Sequence, residues 1–238
     1  MERGRSRKAR SGCLGRIFGF VLFLIVAAVG VIAAVKYMPS RERADLDALY
    51  AAGGSDRVAL YLNYERQEES GVYVDGQTYL PAAWVDANLN ERFYWDANEE
   101  ILVYALPEEI VKSDETTVDE DGKKILYRDG DAVYLSLALI QKYTDVRLQA
   151  YDGEAQKRVF VENNWDPVTV ADAAWSAKIR LRGGLKSPIV TEIKRGGTVT
   201  VLEQYDNWAR VMTPDGHIGY MHKWKMKNLH EETLKSDF

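Results

Sequence analysis

From residue 17 to residue 35 the chain reads IFGFVLFLIVAAVGVIAAV, nineteen residues without a charge. As a helix this run spans roughly 28 Å at 1.5 Å per residue, close to the ~30 Å hydrocarbon layer of a bilayer. Thirteen of the nineteen are Leu, Ile, Phe or Val. At about −0.3 to −0.6 kcal/mol each, they favour insertion by at most about 4–8 kcal/mol. A buried core helix would carry a polar stripe, and this run has none. The sequence predicts a single N-terminal transmembrane helix over residues 17–35.

The flanks set its orientation. Arg3, Arg5, Arg7, Lys8, Arg10 and Arg16 precede the run and few basic residues directly follow it. Residues 1–16 are therefore expected to stay cytoplasmic as a basic segment, with the rest of the chain extracytoplasmic. A cleaved signal peptide usually has a shorter apolar region of about 7–15 residues, and no A-x-A site follows this one. The expectation is an uncleaved single-pass anchor in the cell membrane. Cys13, the single cysteine, precedes the run, whereas a lipoprotein cysteine would follow it. It reads as an unmodified cytosolic thiol, with palmitoylation as the alternative.

Charge excludes some functions. Residues 1–38 carry seven Lys/Arg against Glu2 alone, and the other 200 residues carry 24 basic and 35 acidic groups. So acidic a region repels phosphate backbones, which argues against a nucleic-acid partner. One cysteine and three histidines exclude a disulfide scaffold or a zinc ribbon.

Residues 39–55 read as a juxtamembrane stalk with a short helix, since Leu46, Leu49 and Tyr50 share a helical face and Gly53-Gly54 end the pattern. Then the period changes to two, with Val58, Leu60 and Leu62 alternating as in a strand. An internal repeat follows. Tyr73-x-Asp75-Gly76 matches Tyr127-x-Asp129-Gly130, Tyr79-Leu80-Pro81 matches Tyr134-Leu135-Ser136, and Trp95-Asp96 matches Tyr151-Asp152. In each copy Asp-Gly turns a hairpin. Pro81, as a first-turn residue, or Ser136, as a cap, opens a helix. Val85 and Leu89, or Leu139, Ile140 and Tyr143, form its apolar face. A second hairpin runs through Asp96-Ala97-Asn98-Glu99 or Asp152-Gly153-Glu154. The fold class predicted for residues 56–163 is an α+β domain of two ββαββ repeats, joined by an acidic loop at 113–124 that reads as mobile and solvated.

The run DGQTYLPAAWV…FYWDANEEILVY resembles the copper-amine-oxidase N-terminal-like stalk domain. The resemblance covers about 105 residues and implies neither copper nor a catalytic residue in this module. The sequence agrees, because no His lies between residues 1 and 216 to build an imidazole site. Asn63-Tyr64-Glu65 is similar to the quinone-cofactor motif of the oxidase's catalytic domain. That motif has Thr three residues before the Asn, where Leu60 stands here, so Tyr64 reads as an ordinary strand-end aromatic.

Residues 164–176 read as a linker broken by Asp166-Pro167, residues 177–229 as a small SH3-like β-barrel, and residues 230–238 as a tail. Val199, Val201 and Val211 supply the barrel's inward set. The segment resembles the bacterial SH3-like domain family through Ile179-Arg180, Gly196 or Gly197 before Val199-x-Val201, Asn207-Trp208 with Val211, and Gly216-x-Ile218-Gly219-Tyr220. That resemblance implies contact with cell-wall peptidoglycan or peptides through an aromatic groove. Its candidates are Tyr205, Trp208, Tyr220 and Trp224, helped by Asp206 and His217. The plainer alternative is that Trp208 and Tyr220 close the barrel. His217 and His222, five residues apart, are not expected to share a metal.

No catalytic residue and no cofactor is predicted. No cysteine lies beyond the membrane run to act as a nucleophile, Gly54-Ser55-Asp56 lacks the second glycine of a nucleophile elbow, and GGLKS at 183–187 misses a phosphate loop. The order of anchor, repeat module and barrel resembles the front of clostridial envelope proteins that continue into a family 18 glycoside hydrolase barrel. The nearest string to that family's acidic motif is Glu42-x-x-Asp45-x-Asp47-x-Leu49, where Leu49 replaces the acid. The expected function is a membrane-anchored, non-enzymatic envelope protein that contacts the wall. The alternatives are an accessory or shortened part of a hydrolase acting on β-1,4-N-acetylglucosamine polymers, and a purely structural stalk.

Overall fold

The computed structural model describes residues 12–153 and 155–232, without the side chains of residues 12–16. Most of the basic segment, Glu154 of the second hairpin and the end of the tail lie outside the described residues. Helix α1 (Gly12–Tyr37) carries the apolar run. Over its 21 residues Ile17–Tyr37 it is long and apolar enough to cross a membrane.

The next segment has the predicted short helix and, ahead of it, an extended stretch that was not predicted. Residues 40–44 are extended and lie along the C-terminal sheet: Ser40 N donates to Leu185 O at 2.8 Å, Ile189 N to Glu42 O at 2.8 Å, and Ala44 N to Ile189 O at 2.8 Å. Only α2 (Leu46–Tyr50) is helical, capped by the Asp45 carboxylate accepting from Ala48 N at 3.0 Å. The two guanidinia and two carboxylates among residues 41–45 cannot be buried as a helical face, whereas an extended strand leaves their side chains in water.

Strands β1 (Arg57–Leu62), β2 (Glu65–Val74) and β3 (Gln77–Pro81) lead into α3 (Ala82–Asn88), then β4 (Phe93–Asp96), β5 (Ile101–Ala105) and β6 (Ile110–Ser113). After the acidic loop come β7 (Leu126–Asp129), β8 (Ala132–Ser136), α4 (Leu137–Tyr143), β9 (Arg147–Tyr151) and β10 (Arg158–Glu162). The sequence chemistry explains the joints. Asp75 and Gly76 both take positive φ, 49° and 79°, as a two-residue hairpin between right-twisted strands requires. Ser136 Oγ accepts from Leu139 N at 3.1 Å and starts α4. Pro81 sits one place earlier than expected, as the residue preceding the helix rather than inside its first turn.

The two runs of two strands, helix and two strands occupy different places. One seven-stranded sheet has the order β7-β8-β3-β2-β1-β10-β9, whereas β4 and β5 form a separate three-stranded sheet with β6. Strand β1 runs inside the sheet between antiparallel β2 and parallel β10, and both its faces are covered, each by a different cluster. By alternation Val58, Leu60, Val159 and Val161 face the cluster around α3 and α4, while Ala59, Tyr61 and Phe160 face the other way. The acidic loop is folded rather than loose: Asp114 Oδ1 accepts from Thr116 N at 3.0 Å, and Asp119 Oδ1 from Lys123 N at 2.8 Å.

The segment expected as a linker contributes β11 (Val168–Ala173). It is followed by β12 (Ala177–Arg180), β13 (Ile189–Ile193), β14 (Thr198–Gln204), β15 (Trp208–Met212), β16 (Ile218–His222) and β17 (Met226–Glu232), the last extending into the expected tail. Their order is β13-β12-β16-β15-β14-β11-β17. Side chains from β11 through β16, Val199, Val201 and Val211 among them, fill one core, so the sheet wraps on itself. Among the described residues the end strands β13 and β17 do not pair, so the predicted closure is by packing rather than by a continuous ladder.

The two modules share a junction. Tyr50, Ala59, Tyr61, Phe160 and Met212 form one buried cluster, with Leu202 and Ile218 packed against it. At its edge Arg158 is 0% exposed. Its guanidinium donates to Gly216 O at 2.8 Å, Gln156 O at 2.8 Å and Asp215 O at 2.5 Å. It also lies 4.8 Å from the Tyr50 ring centre and 5.2 Å from that of Tyr151. Gly216 has φ 70°, and a Cβ there would stand 2.5 Å from the Tyr151 ring. Only glycine fits both demands. His217 Nδ1 lies 3.0 Å from Asp215 Oδ2 and, with Thr213, holds that carboxyl well below the usual range.

Two predictions follow from the junction. Arg158→Leu leaves three carbonyls unpaired, and the expected cost is about 3–5 kcal/mol. Thermal unfolding should then separate into two transitions where the wild type has one; a single transition at the wild-type temperature would contradict this. The second concerns pH. Burial pushes the Tyr50 phenol up to about 12, from the ordinary value near 10. The folded chain holds this proton longer than the unfolded one, so the stability is intact below pH ~10 and falls as pH rises toward ~12, by about 2–3 kcal/mol. Denaturant melts across that window should show a shallower decline in Tyr50→Phe.

Candidate functional site

On β15 and β16 the alternation is strict. Ala209, Val211 and Met221 point into the core, so Trp208, Arg210, Tyr220 and His222 face outward. Antiparallel register sets Trp208 opposite His222, Arg210 opposite Tyr220, and Met212 opposite Ile218. Strand β12 extends the middle row, with Arg180 opposite Tyr220. The outer face thus divides into three rows with different fates. The Met212–Ile218 row is buried in the junction. In the middle row Arg210 donates to Glu65 at 2.5 Å, Glu203 at 2.9 Å and Tyr64 O at 3.0 Å. The Trp208–His222 row stays open.

That open row continues into Trp224, which sits in a 3₁₀ turn, Lys223–Lys225. The Trp208 and His222 ring centres are 5.0 Å apart; His222 and Trp224 meet edge-on at 6.1 Å. Trp208 is half-buried and packs over Gly183, where a Cβ would stand 3.2 Å from its Cγ. Trp224 is 62% exposed, and the Lys225 ammonium lies 5.3 Å from its ring centre. His222 Nδ1 is buried with no hydrogen-bond partner among the described residues. Together with Lys178, Arg180 and Leu185 these rings line a groove of about 410 Å³. An aromatic floor beside cations can stack on a sugar face or a planar peptide group and hold an anionic substituent. Arg180 itself is 3% exposed, its guanidinium donating to Ser187 O at 2.5 Å and Ser40 O at 3.2 Å. Burial lowers its pKa.

The four aromatic candidates separate into two groups. Trp208 and Trp224 line this groove, while Tyr205 and Tyr220 pair with each other at 5.8 Å outside its lining. The Tyr205 hydroxyl donates to Glu203, and its pKa is raised by that bond first and by Tyr220 second. Neither Trp208 nor Tyr220 belongs to the barrel core. Asp206 lies exposed in the turn between β14 and β15. His217, expected beside the groove, is instead buried at the junction, edge-on to Tyr50 at 5.6 Å. It precedes β16 and His222 ends it, which puts them roughly 17 Å apart at 3.3 Å per residue. Sequence reasoning missed Lys178, Arg180, Leu185 and His222. The first two were marked by alternation with inward Ala177 and Ile179; Leu185 is brought in by a loop that no period describes.

A second cleft, about 330 Å³, opens between the modules beside Tyr64, Glu162 and Arg210. Asn63 and Tyr64 form its turn at φ 47° and 67°. Tyr64 is thus a turn residue rather than a strand-end aromatic. Its hydroxyl donates to Glu162 Oε2 at 2.6 Å, and Arg147 Nη2 sits 2.5 Å from the same oxygen. Burial, followed by the bond to Glu162, raises the Tyr64 pKa. Two of the three carboxylates of the hydrolase-like string have structural partners: Asp45 caps α2, and Asp47 Oδ1 accepts from Gln156 Nε2 at 2.6 Å.

Residues 175–227 match the family described as Bacterial SH3 domain. Neither the curated proteins nor the solved structures give a match. The matched segment runs from just before β12 into β17, so β11, paired to both β14 and β17, is a strand outside it. The groove's rings and cations fall inside the match.

The two tryptophans should differ in role. Trp224→Ala is expected to change stability by less than about 0.5 kcal/mol, since its ring is mostly in water, whereas Trp208→Ala should cost about 1–3 kcal/mol through lost packing. Thermal melts of the two variants check this; equal destabilisation would place Trp224 in the packing rather than on the open surface.

Proposed function

We propose that this chain is a single-pass envelope protein, anchored by α1 with its basic end in the cytoplasm, whose bacterial SH3 domain contacts cell-wall peptidoglycan or its peptides outside. The observation that carries the reading is the open Trp208–His222–Trp224 row within the segment that matches that family. Such a domain is commonly a cell-wall-binding module, and an exposed tryptophan ridge suits stacking on sugars and peptide planes. The six basic residues before the apolar run support the orientation. The remainder is read as non-enzymatic. In support, two of the three carboxylates of the hydrolase-like string, Asp45 and Asp47, are engaged in capping and in a side-chain bond. The module between anchor and barrel is proposed as a spacer of the copper-amine-oxidase N-terminal-like kind, on the strength of its two runs of like element order.

Sedimentation with purified insoluble peptidoglycan tests the wall contact. The detergent-solubilised chain should pellet with it, and Trp224→Ala should weaken binding about tenfold, equivalent to about 1.4 kcal/mol. A wild-type chain left in the supernatant would sink the reading. Retention by membranes through a carbonate wash tests the anchor separately.

A further inference from the structure

The groove is joined to the outer end of α1 by a connection too short to let it leave the membrane surface. Helix α1 ends at Tyr37, and Pro39, two residues on, already lines the groove. Two residues reach at most about 7 Å. The headgroup layer, between a hydrocarbon core of about 30 Å and a full thickness of about 40–45 Å, is about 5–8 Å deep on each side. The 21 residues Ile17–Tyr37 measure about 31 Å as a helix, so the groove opens at headgroup depth.

The barrel is clamped in that place. The strand-like bonds of Ser40, Glu42 and Ala44 tie it to the segment leaving the helix, as does the buried Arg180 through Ser40 O. Lys186 Nζ donates to Val35 O at 2.6 Å, reaching the last turn of the helix itself. Beside it Leu185 is 44% exposed at the rim.

Charge singles out one kind of surface. Residues 56–163 hold 11 Lys/Arg against 23 Asp/Glu, while residues 177–232 hold ten against six. The barrel is therefore cationic within an acidic ectodomain. Lys178, Arg180 and Lys225 line the groove and Lys186 adjoins it, while Glu192, the carboxylate in the lining, is answered by Arg43 at 3.4 Å. Trp and Lys are the side chains that settle at a membrane interface, the ring among headgroups and the ammonium on phosphate.

We infer that the rim of this groove, with Trp224, Leu185, Lys178 and Lys186, docks on anionic phospholipid headgroups of the membrane that holds α1. The inference rests on the anchor proposed above. It adds that whatever else the groove takes must enter along the lipid surface.

The full chain, reconstituted in vesicles of phosphatidylcholine alone or mixed with phosphatidylglycerol, tests this, with a trace of lipid carrying a nitroxide on its headgroup. Tryptophan quenching should be strong with phosphatidylglycerol, and most of it should vanish in Trp224→Phe. It should fall by about half or more in Lys178→Glu combined with Lys186→Glu, or when phosphatidylglycerol is omitted. Flotation with the vesicles separates the two readings. A chain that floats but shows no Trp224-dependent quenching overturns the headgroup site and leaves the anchor standing. Equal quenching in both lipids overturns its anionic preference. A chain that does not float overturns both. A Trp224 emission shift with soluble peptidoglycan fragments, without headgroup quenching, assigns the groove to wall material instead.

Discussion

The structure depends on one buried cation. Arg158 closes the junction between the modules by filling three carbonyl acceptors at once and lying between two tyrosine faces. A guanidinium taken out of water is costly unless every donor it turns inward finds an acceptor. Here Gln156 O comes from its own module, whereas Asp215 O and Gly216 O come from the turn between β15 and β16. The cost of burial is met only when the modules are docked. That makes the contact specific to one arrangement, as an apolar patch alone would not be. The Thr213–His217 turn is shaped for it, since Gly216 alone leaves room for the Tyr151 ring and the Asp215 carboxylate is engaged by His217 and Thr213.

The sequence showed the parts of this arrangement but not their joining. The apolar run, the hairpins at Asp75-Gly76 and Asp96-Ala97, the cap at Ser136 and the inward valines of the barrel were all legible, because each depends on local chemistry or a short period. What could not be read was long-range. Strand β11 looked like a linker because Asp166-Pro167 breaks the chain just before it, and nothing local shows that Asp172 within it accepts from Asn228 and Thr198 across the sheet. Residues 40–44 looked like the start of a stalk because nothing in RERAD announces that its backbone pairs with Ile189.

The candidate site was half legible for the same reason. Trp208 and Trp224 are aromatics near turns, which any reading would mark. Tyr205 and Tyr220 are equally aromatic, but Tyr205 is bonded to Glu203, and Tyr220 occupies the middle row between Arg180 and Arg210. Which row of a strand face remains open is decided by what covers its other rows. In this chain the cover is Tyr50, more than 150 positions away in sequence from Ile218, whose N–H it accepts at 3.1 Å.

Two clamps therefore act on the barrel from different sides, and together they leave little of its face free. The junction removes the Met212–Ile218 row, and the paired segment 40–44 holds β13. The Trp208–His222 row is what remains, and Pro39 borders it. A module tethered by a long flexible linker would sample a wide volume and meet ligands far from its anchor, since the reach of a coil grows with the square root of its length. Here Ser40 follows Tyr37 by three positions, about 11 Å at full extension. The short connection trades reach for position and keeps the open row close to the end of α1.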